Sequence, residues 1–391
     1  MHGPVTHTAR RFAPTALMLG NIVTGCSVLA PAGMLLELSQ DLDVSISYAG
    51  LLITFGAIVL CIGSPVTAWL TSRIERRTLL TATLAVLAIT NVASAFAPDY
   101  ATLLVIRLVM LAVGALYTPQ AAGTAGLVVP EEKRGSNIAY IFLGWSLAAA
   151  IGLPLITFIA SRYGWRAAYG GIGIIGCFSF LLLAWRLPKG LIGAPVDLKT
   201  WADVGRNRMI VLLLLITTLH MSGQFVVFTF MGPLLTKLTQ ASPDAVALVF
   251  ALYGVFGFIG IAIATRIVDS WGAYKTSLLF TILMLTGVTG WAFSAGIYPL
   301  MAISVAIWGL GFASTNSMQQ VRLVGAAPAL ASASVSLNTS VLYIGQAVGS
   351  AIGGLLYARE LLYAAGYVSA GFVALALIAV MFTKRISAAK S

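Results

Sequence analysis

PKGLIGAPVDLKTWADVGRNR, residues 188–208, is the longest polar interval in the chain and falls near its midpoint. On both sides the sequence consists of apolar runs long enough to cross a bilayer, which takes about 20 helical residues. Six runs precede the interval, at about 13–36, 47–70, 78–97, 101–128, 137–160 and 167–187. Six follow it, at about 209–235, 244–267, 276–295, 298–324, 331–357 and 362–383. They are too long for barrel strands and lack two-residue alternation, so they read as helices. The sequence therefore predicts an all-α polytopic membrane protein with twelve transmembrane helices. Residues 1–187 form a first six-helix bundle, 188–208 a cytosolic linker, and 209–391 a second bundle.

Composition supports this. Of 391 residues 59% are hydrophobic and 9% charged, against about 25% charged in a soluble domain. With 23 Lys and Arg and 12 Asp and Glu, water cannot face most of the surface. A soluble enzyme and a disordered chain are both excluded. The net charge of +11 does not point to nucleic acid, because the bases are dealt out in ones to fives between apolar runs rather than clustered. With the N-terminus inside, 18 Lys and Arg fall on the cytosolic side and four (Arg162, Arg166, Lys237, Arg359) on the other. That asymmetry places both termini in the cytosol and makes the chain a multi-pass protein of the cytoplasmic (inner) membrane. The first run is longer than a signal h-region and has no A-x-A site, so it reads as a retained helix. Cys26, Cys61 and Cys177 lie in apolar stretches and read as buried free thiols.

The two halves echo each other. Tyr100 and Tyr298, Ala115 and Ala313, and Pro130 and Pro328 are each 198 residues apart, and Ser72–Arg77 falls at about the same spacing from Asp269–Lys275. Two parallel six-helix repeats with a site between them at mid-membrane describe a rocking secondary carrier.

Ionisable groups inside hydrocarbon are functional candidates by default. Two are expected deep in spans: Arg107 in the fourth and His220 in the seventh. Arg107 reads either as a substrate or coupling group or as a structural guanidinium held by carbonyls and amides of neighbouring helices. His220 can exchange a proton near neutral pH, or be satisfied by an interhelical hydrogen bond; Gln224 and Phe228 follow it at one-turn intervals. Glu37, at the outer end of the first helix, stands second to His220 as a proton carrier. Asn21 and Thr24 share a face of helix one, Asn316 and Gln320 a face of helix ten, and Asn338 and Gln346 lie eight apart on helix eleven. Such amides bind hydroxylated or amide-bearing ligands, or join helices. Together they predict a site that is polar but nearly free of negative charge. Gly345, Gly349 and Gly353 mark a close-packing face, and Pro154 opens the helix-five ladder and permits a kink. Gly171, Gly173 and Gly176 form a formal GxGxxG without the strand that a dinucleotide site requires.

Five stretches in order resemble the major facilitator superfamily, and more narrowly its bacterial twelve-helix drug:proton antiporter branch, which exports sugars, nucleosides and chloramphenicol. They are LLELSQDLDVSISYAGLL (35–52), TSRIERRTLL (71–80), GLPL (152–155) with RYGWRAAY (162–169), GQFVVFTFMGPLL (223–235) and AAPALASASVSLNTSVLYIGQAVGSAIGG (326–354). The resemblance implies an Arg of the Arg107 kind in helix four. It also implies cytosolic gating turns at Arg73, Arg76 and Arg77 and at Asp269, Gly272 and Lys275, and a helix-five motif at Gly152 and Pro154. The chain departs from the family in three places. Ser72 stands where Asp usually precedes the Arg pair, and Glu75 where Gly is usual. Ile156 follows Gly152 and Pro154 where more glycine is expected. Val28 matches the place where relatives often carry an acidic residue in helix one.

The expected function is a secondary transporter that exports a small neutral or weakly anionic organic solute. It works by alternating access with proton antiport, the proton gradient as energy source and no cofactor or metal. One chain holds both halves, so it is expected to act as a monomer, with lipid, solute and protons as its partners. The missing helix-one carboxylate favours a facilitator or importer on the same fold as the alternative. A membrane enzyme lacks a His/Asp/Glu cluster, since two of three histidines (His2, His7) lie in the N-terminal tail. A channel would need charge rings or a carbonyl filter.

Overall fold

The computed structural model describes residues 7–71, 73–128, 134–192, 203–327 and 330–388. Ser72, the Pro130–Pro328 match and the middle of the linker (193–202) lie outside them. Among the described residues the chain is helical, without strands. Span one is His7–Gly33, followed by a short helix, Leu35–Asp41, and span two is Ile46–Leu70. Span three is Arg76–Ala95, and span four is Tyr100–Gly114 continued by Tyr117–Val128. Span five runs Arg134–Leu147, then a π-helical turn Ala148–Gly152, then Leu153–Tyr163; span six is Trp165–Arg186. Span seven is Arg208–Phe228, extended by Met231–Thr239, and spans ten, eleven and twelve are Tyr298–Ala326, Ala331–Ala358 and Ala364–Ala388.

Spans eight and nine form one hydrogen-bonded stretch, Pro243–Phe293, of 51 residues. A straight helix of that length would measure about 75 Å, more than twice the hydrocarbon thickness. It reverses at Gly272, whose φ of 77° and ψ of 155° are non-helical and disfavoured for any residue with a Cβ. The break divides it into 243–271 and 273–293, giving the twelve spans read from the sequence. Several spans start at side-chain caps that take up orphan amides. Ser45 accepts from the Tyr48 amide (3.1 Å), Asp99 from Thr102 (2.8 Å) and Ser242 from Ala245 (3.2 Å).

The internal repeat is visible in bonding. The Tyr100 hydroxyl donates to the Tyr48 carbonyl at 2.9 Å, and the Tyr298 hydroxyl donates to the Ala245 carbonyl at 2.9 Å. Each tyrosine begins its span and ties it to the start of the span two earlier. One apolar core, including Leu17, Leu84, Leu103 and Tyr169, draws only on residues 13–187. A second is built mainly from the later half, with Leu29, Ala32, Leu35, Ala49, Ile53 and Leu153 contributed by the first. Around both, large apolar side chains point outward, among them Phe96 at 79% exposure and Phe293 at 76%, a surface suited to lipid rather than water. The glycine face packs as its spacing predicts. A Cβ at Gly345 would lie 2.5 Å from the Thr218 carbonyl, and Gly349 and Gly353 similarly meet Ser222 and Val226 of span seven.

Two expectations are corrected. Arg322, counted above among the bases of the cytosolic side, is not a loop residue but lies buried near the end of span ten at 8% exposure. Of the cysteines only Cys26 is buried; Cys61 is half-buried and Cys177 is exposed.

Candidate functional site

The first and second halves meet on the face away from the termini. There the short helix 35–41 packs on 231–239. Gly50 accommodates the Phe230 ring, and Gly354 sits against that ring and the Ser47 carbonyl. Deeper, Thr54 and Ser350 share a buried hydrogen bond of 3.0 Å. Deeper still, spans five and eight come into backbone contact: a Cβ on Gly254 would overlap Ala150 and lie 2.6 Å from the Ala149 carbonyl. Arg162 and Asp244 add an exposed ion pair at 3.1 Å at the rim of the seam, a contact that contributes little by itself. Helix five is shaped for this approach. Pro154 cannot bond to residue 150 and its ring crowds that carbonyl; the widened turn Ala148–Gly152 immediately ahead absorbs the mismatch. The kink expected at Gly152 and Pro154 thus takes the form of a π turn.

Arg107 lies inside the first half at 1% exposure. Its Nε donates to the Leu52 carbonyl (2.8 Å), and Nη1 and Nη2 donate to the Ser27 (3.0 Å) and Val28 (2.9 Å) carbonyls. The guanidinium therefore clamps spans one and two through main-chain oxygens. One of them belongs to Val28, the helix-one residue noted above as standing where the resemblance implies a carboxylate.

His220 is buried at 2% exposure, and its Nε2 lies 3.2 Å from Thr281 Oγ1 on span nine. Thr281 already donates to the Ser277 carbonyl at 2.8 Å, so its oxygen accepts and His220 Nε2 carries the hydrogen. One turn away, Ser277 Oγ receives Arg322 Nη1 (3.3 Å), which also reaches Gln319 Oε1 (3.1 Å), while Nη2 reaches Thr383. His220 thus belongs to a polar chain inside the second half, and no carboxylate is among these partners.

The amides divide. Asn21 donates to the Ile141 carbonyl (2.9 Å) and accepts from Thr118 (2.8 Å), which also receives the Trp145 indole N–H at 3.0 Å. Asn338 accepts from Thr217 at 2.7 Å, and Thr24 returns its hydroxyl to the Gly20 carbonyl. These residues join helices or their own turn. Asn316 and Gln320 are partly accessible, Gln346 is buried, and Asn316 Oδ1 and Gln224 Oε1 are buried without a hydrogen-bond partner. Sequence reasoning missed Gln319, Arg322, Tyr253 and Trp308. The recurrence of Trp308, Phe312, Asn316 and Gln320 every fourth residue was the available signal for the last.

The two basic turns differ. Glu75 accepts from the Gly190 amide (2.5 Å) and the Thr78 hydroxyl (2.7 Å), the Arg76 amide donates to the Leu191 carbonyl (2.8 Å), and Arg77 reaches the Ala184 carbonyl. The turn is thereby clasped to the end of span six. Arg73, Asp269 and Lys275 are exposed, and among the described residues none of them forms an ion pair. The Gly190 amide, then Thr78, hold the Glu75 carboxyl below its ordinary value. A depressed carboxylate contributes at neutral pH, and its contribution disappears as pH falls through its lowered range. Glu75→Ala is expected to reduce hydrogen-exchange protection at Gly190. The native protein should lose the same protection below about pH 4; unchanged protection in both experiments would dismiss the clasp. At the opposite face Asp41 holds the Trp165 indole (2.8 Å) and Arg166, which lower its carboxyl, while burial raises that of Glu37.

Twelve apolar spans of bilayer length, two echoing halves closed against each other on one face, and a polar interior define a polytopic membrane transporter. The Major Facilitator Superfamily model matches residues 17–336 and 213–391, and the chain belongs to that family. It is 32% identical to the inner membrane transport protein YdhP of Escherichia coli O157:H7, with 95% of each chain covered. It is 25% identical to a probable sugar efflux transporter of Mannheimia succiniciproducens, covering 95% of this chain and 94% of that one. Among solved structures, the fold matches an inward-facing, unoccupied bacterial homologue of the human lysosomal transporter Spinster. That match has a TM-score of 0.74 at 15% identity, over 97% and 98% of the two chains. The nucleoside transporter NupG matches with a TM-score of 0.74 at 12% identity, over 95% and 99%.

Proposed function

We propose that the chain exports a small neutral or weakly anionic organic solute across a bacterial cytoplasmic membrane, by alternating access coupled to inward proton flow. The observation that carries this reading is the one-sided closure of the halves. Spans two and eleven, and five and eight, are locked together from the face away from the termini inward. On span ten Trp308 is buried, whereas Phe312, Asn316 and Gln320, at four-residue steps toward the terminus-bearing side, are partly accessible. Rocking of residues 1–187 against 209–391 would exchange the open and closed faces, and solute and proton would drive it by binding the two states unequally. The buried basic groups Arg107 and Arg322 disfavour cationic solutes. Names of relatives that include sugar efflux point the same way. His220 is the proton-exchanging side chain of this proposal. A facilitator on the same fold is favoured by a specific observation: no Asp or Glu sits within the bilayer-crossing part of the described spans.

The test is solute flux in proteoliposomes carrying a pH-sensitive dye, with sugars, nucleosides and chloramphenicol-like amphiphiles, for wild type and His220→Ala. Export predicts solute-dependent proton movement that is abolished in the variant. Solute flux that ignores an imposed proton gradient would replace the antiporter with a uniporter.

A further inference from the structure

Away from the polar interior, Arg186 closes span six on the terminus-bearing side. Its Nε is buried without a hydrogen-bond partner, and among the described residues its side chain forms no ion pair. What it touches is aromatic. The guanidinium carbon lies 3.8 Å from the Trp185 ring centroid and 4.9 Å from that of Phe12, near the start of span one. Neither span one nor span six contains Asp or Glu. Glu75, the carboxylate of the neighbouring basic turn, binds the Gly190 amide and Thr78 and faces Arg77 and Lys189 rather than Arg186. A cation at a helix C-terminus can serve by covering the last carbonyls. Here others share that work: the Leu187 amide donates to the Leu183 carbonyl at 2.9 Å, and Arg77 reaches the Ala184 carbonyl. Stacking on rings leaves the N–H edges of a guanidinium free to donate.

The surface beside Arg186 faces lipid. Trp185 is 70% exposed, and Phe178 and Leu181, also exposed, share its outward face of span six at helical spacing. An indole at the end of an apolar run sits at headgroup level in a bilayer, and the stripe below it meets acyl chains. A ligand reaching Arg186 along this face therefore needs an anion at one end and hydrocarbon at the other. A soluble anion meets only the first requirement. A zwitterionic lipid brings a second cation to a place that already holds Arg186 and, three residues on, Lys189. A phosphate diester with no ammonium group fits both demands, since its oxygens accept from a guanidinium in pairs.

The internal repeat supplies a contrast. The spacing of 198 residues that relates the halves carries Trp185 and Arg186 to Thr383 and Lys384. Thr383 is buried against Arg322, so the outward indole belongs to the first half. We propose that Phe12, Trp185 and Arg186 form a binding site for an anionic phospholipid of the leaflet on the terminus-bearing side. The phosphate diester lies on Arg186, and one acyl chain runs along Trp185, Leu181 and Phe178. The site is independent of what the chain transports.

Native mass spectrometry of the purified full chain in detergent measures the binding of single lipids. Dioleoylphosphatidylglycerol and dioleoylphosphatidylethanolamine, which share their acyl chains, are compared, with glycerol 3-phosphate as a soluble competitor. Arg186→Gln is set beside Lys384→Gln, which removes the same charge from the same side of the membrane; Trp185→Leu removes the ring and leaves the charge. Diffuse attraction of a base to an anionic surface is worth about fivefold in affinity. The site predicts more. Wild type should prefer phosphatidylglycerol by about tenfold or more, and Arg186→Gln should bind it about tenfold or more weakly than Lys384→Gln does. Trp185→Leu should bind it several-fold more weakly than wild type, and all three variants should melt at the wild-type temperature without added lipid. Equal losses in the two charge variants would reduce the site to diffuse attraction and overturn the proposal. Preference for phosphatidylethanolamine, or displacement of the lipid by millimolar glycerol 3-phosphate, would overturn it as well. Should Arg186→Gln fail to fold, Trp185→Leu decides, since wild-type binding in that variant is equally fatal.

Discussion

Gly254→Ala, a single added methyl group, is expected to reduce transport by about tenfold or more while leaving the protein folded. The reason is steric and specific to the closed seam. A Cβ at 254 meets main chain, the Ala150 backbone and the Ala149 carbonyl at 2.6 Å, and main chain in a packed helix cannot swing aside as a side chain can. To relieve the overlap spans five and eight must separate by about an ångström, which pulls the Thr54–Ser350 bond apart along with the rest of the seam. The closed state is penalised and the state open on the face away from the termini gains population. Two measurements check this. Flux in proteoliposomes should fall, and a cysteine placed at Thr54 should become more reactive to an impermeant maleimide from that face when Gly254→Ala is present. Wild-type flux with unchanged labelling would show that the contact is not part of the transport cycle.

Much of this architecture could be read from the sequence because its causes are local. Span lengths follow from bilayer thickness, and the cores follow from apolar runs. The reversal at Gly272 lies in the second-half basic turn, where glycine is needed for the positive φ. The repeat surfaced through Tyr100 and Tyr298, which make the same bond in each half. Arg322 was misplaced because it stands within a turn of the expected end of span ten. Helical side chains lean toward the helix N-terminus, which in span ten points into the membrane. Its guanidinium is thereby drawn back to Gln319, Ser277 and Thr383. The contacts among the Phe228, Tyr253 and Trp308 rings were invisible for a different reason: the three meet only once the rotations of spans seven, eight and ten are fixed. The same holds for the amides. Nothing in their spacing separates Asn21 and Asn338, which join helices, from Asn316, whose oxygen is unpartnered.

Arg107→Lys is the second substitution with a large expected effect, and it separates two roles for that side chain. The guanidinium spreads three donors over the carbonyls of Leu52, Ser27 and Val28, oxygens on two helices that a planar fork reaches together and a single ammonium cannot. Hydrogen bonds from charged donors contribute about 1.5–3 kcal/mol each. Lysine would keep the buried charge while losing part of its solvation, the costly combination for ions out of water. Against the offsetting desolvation of the native guanidinium, a net loss of about 3 kcal/mol is expected, or a melting temperature lower by roughly 4 °C. Arg107→Met, which removes the charge together with its bonds, should be no worse than lysine and is expected to be milder. A clamp on carbonyls therefore predicts that conserving charge brings no benefit, and that the stability loss appears without any solute present. A group that contacts an anionic solute predicts the opposite order, with lysine retaining part of the flux, methionine retaining none, and both proteins melting near the wild-type temperature. Thermal unfolding of the two variants in detergent, set beside their flux in proteoliposomes, decides between the clamp and the contact.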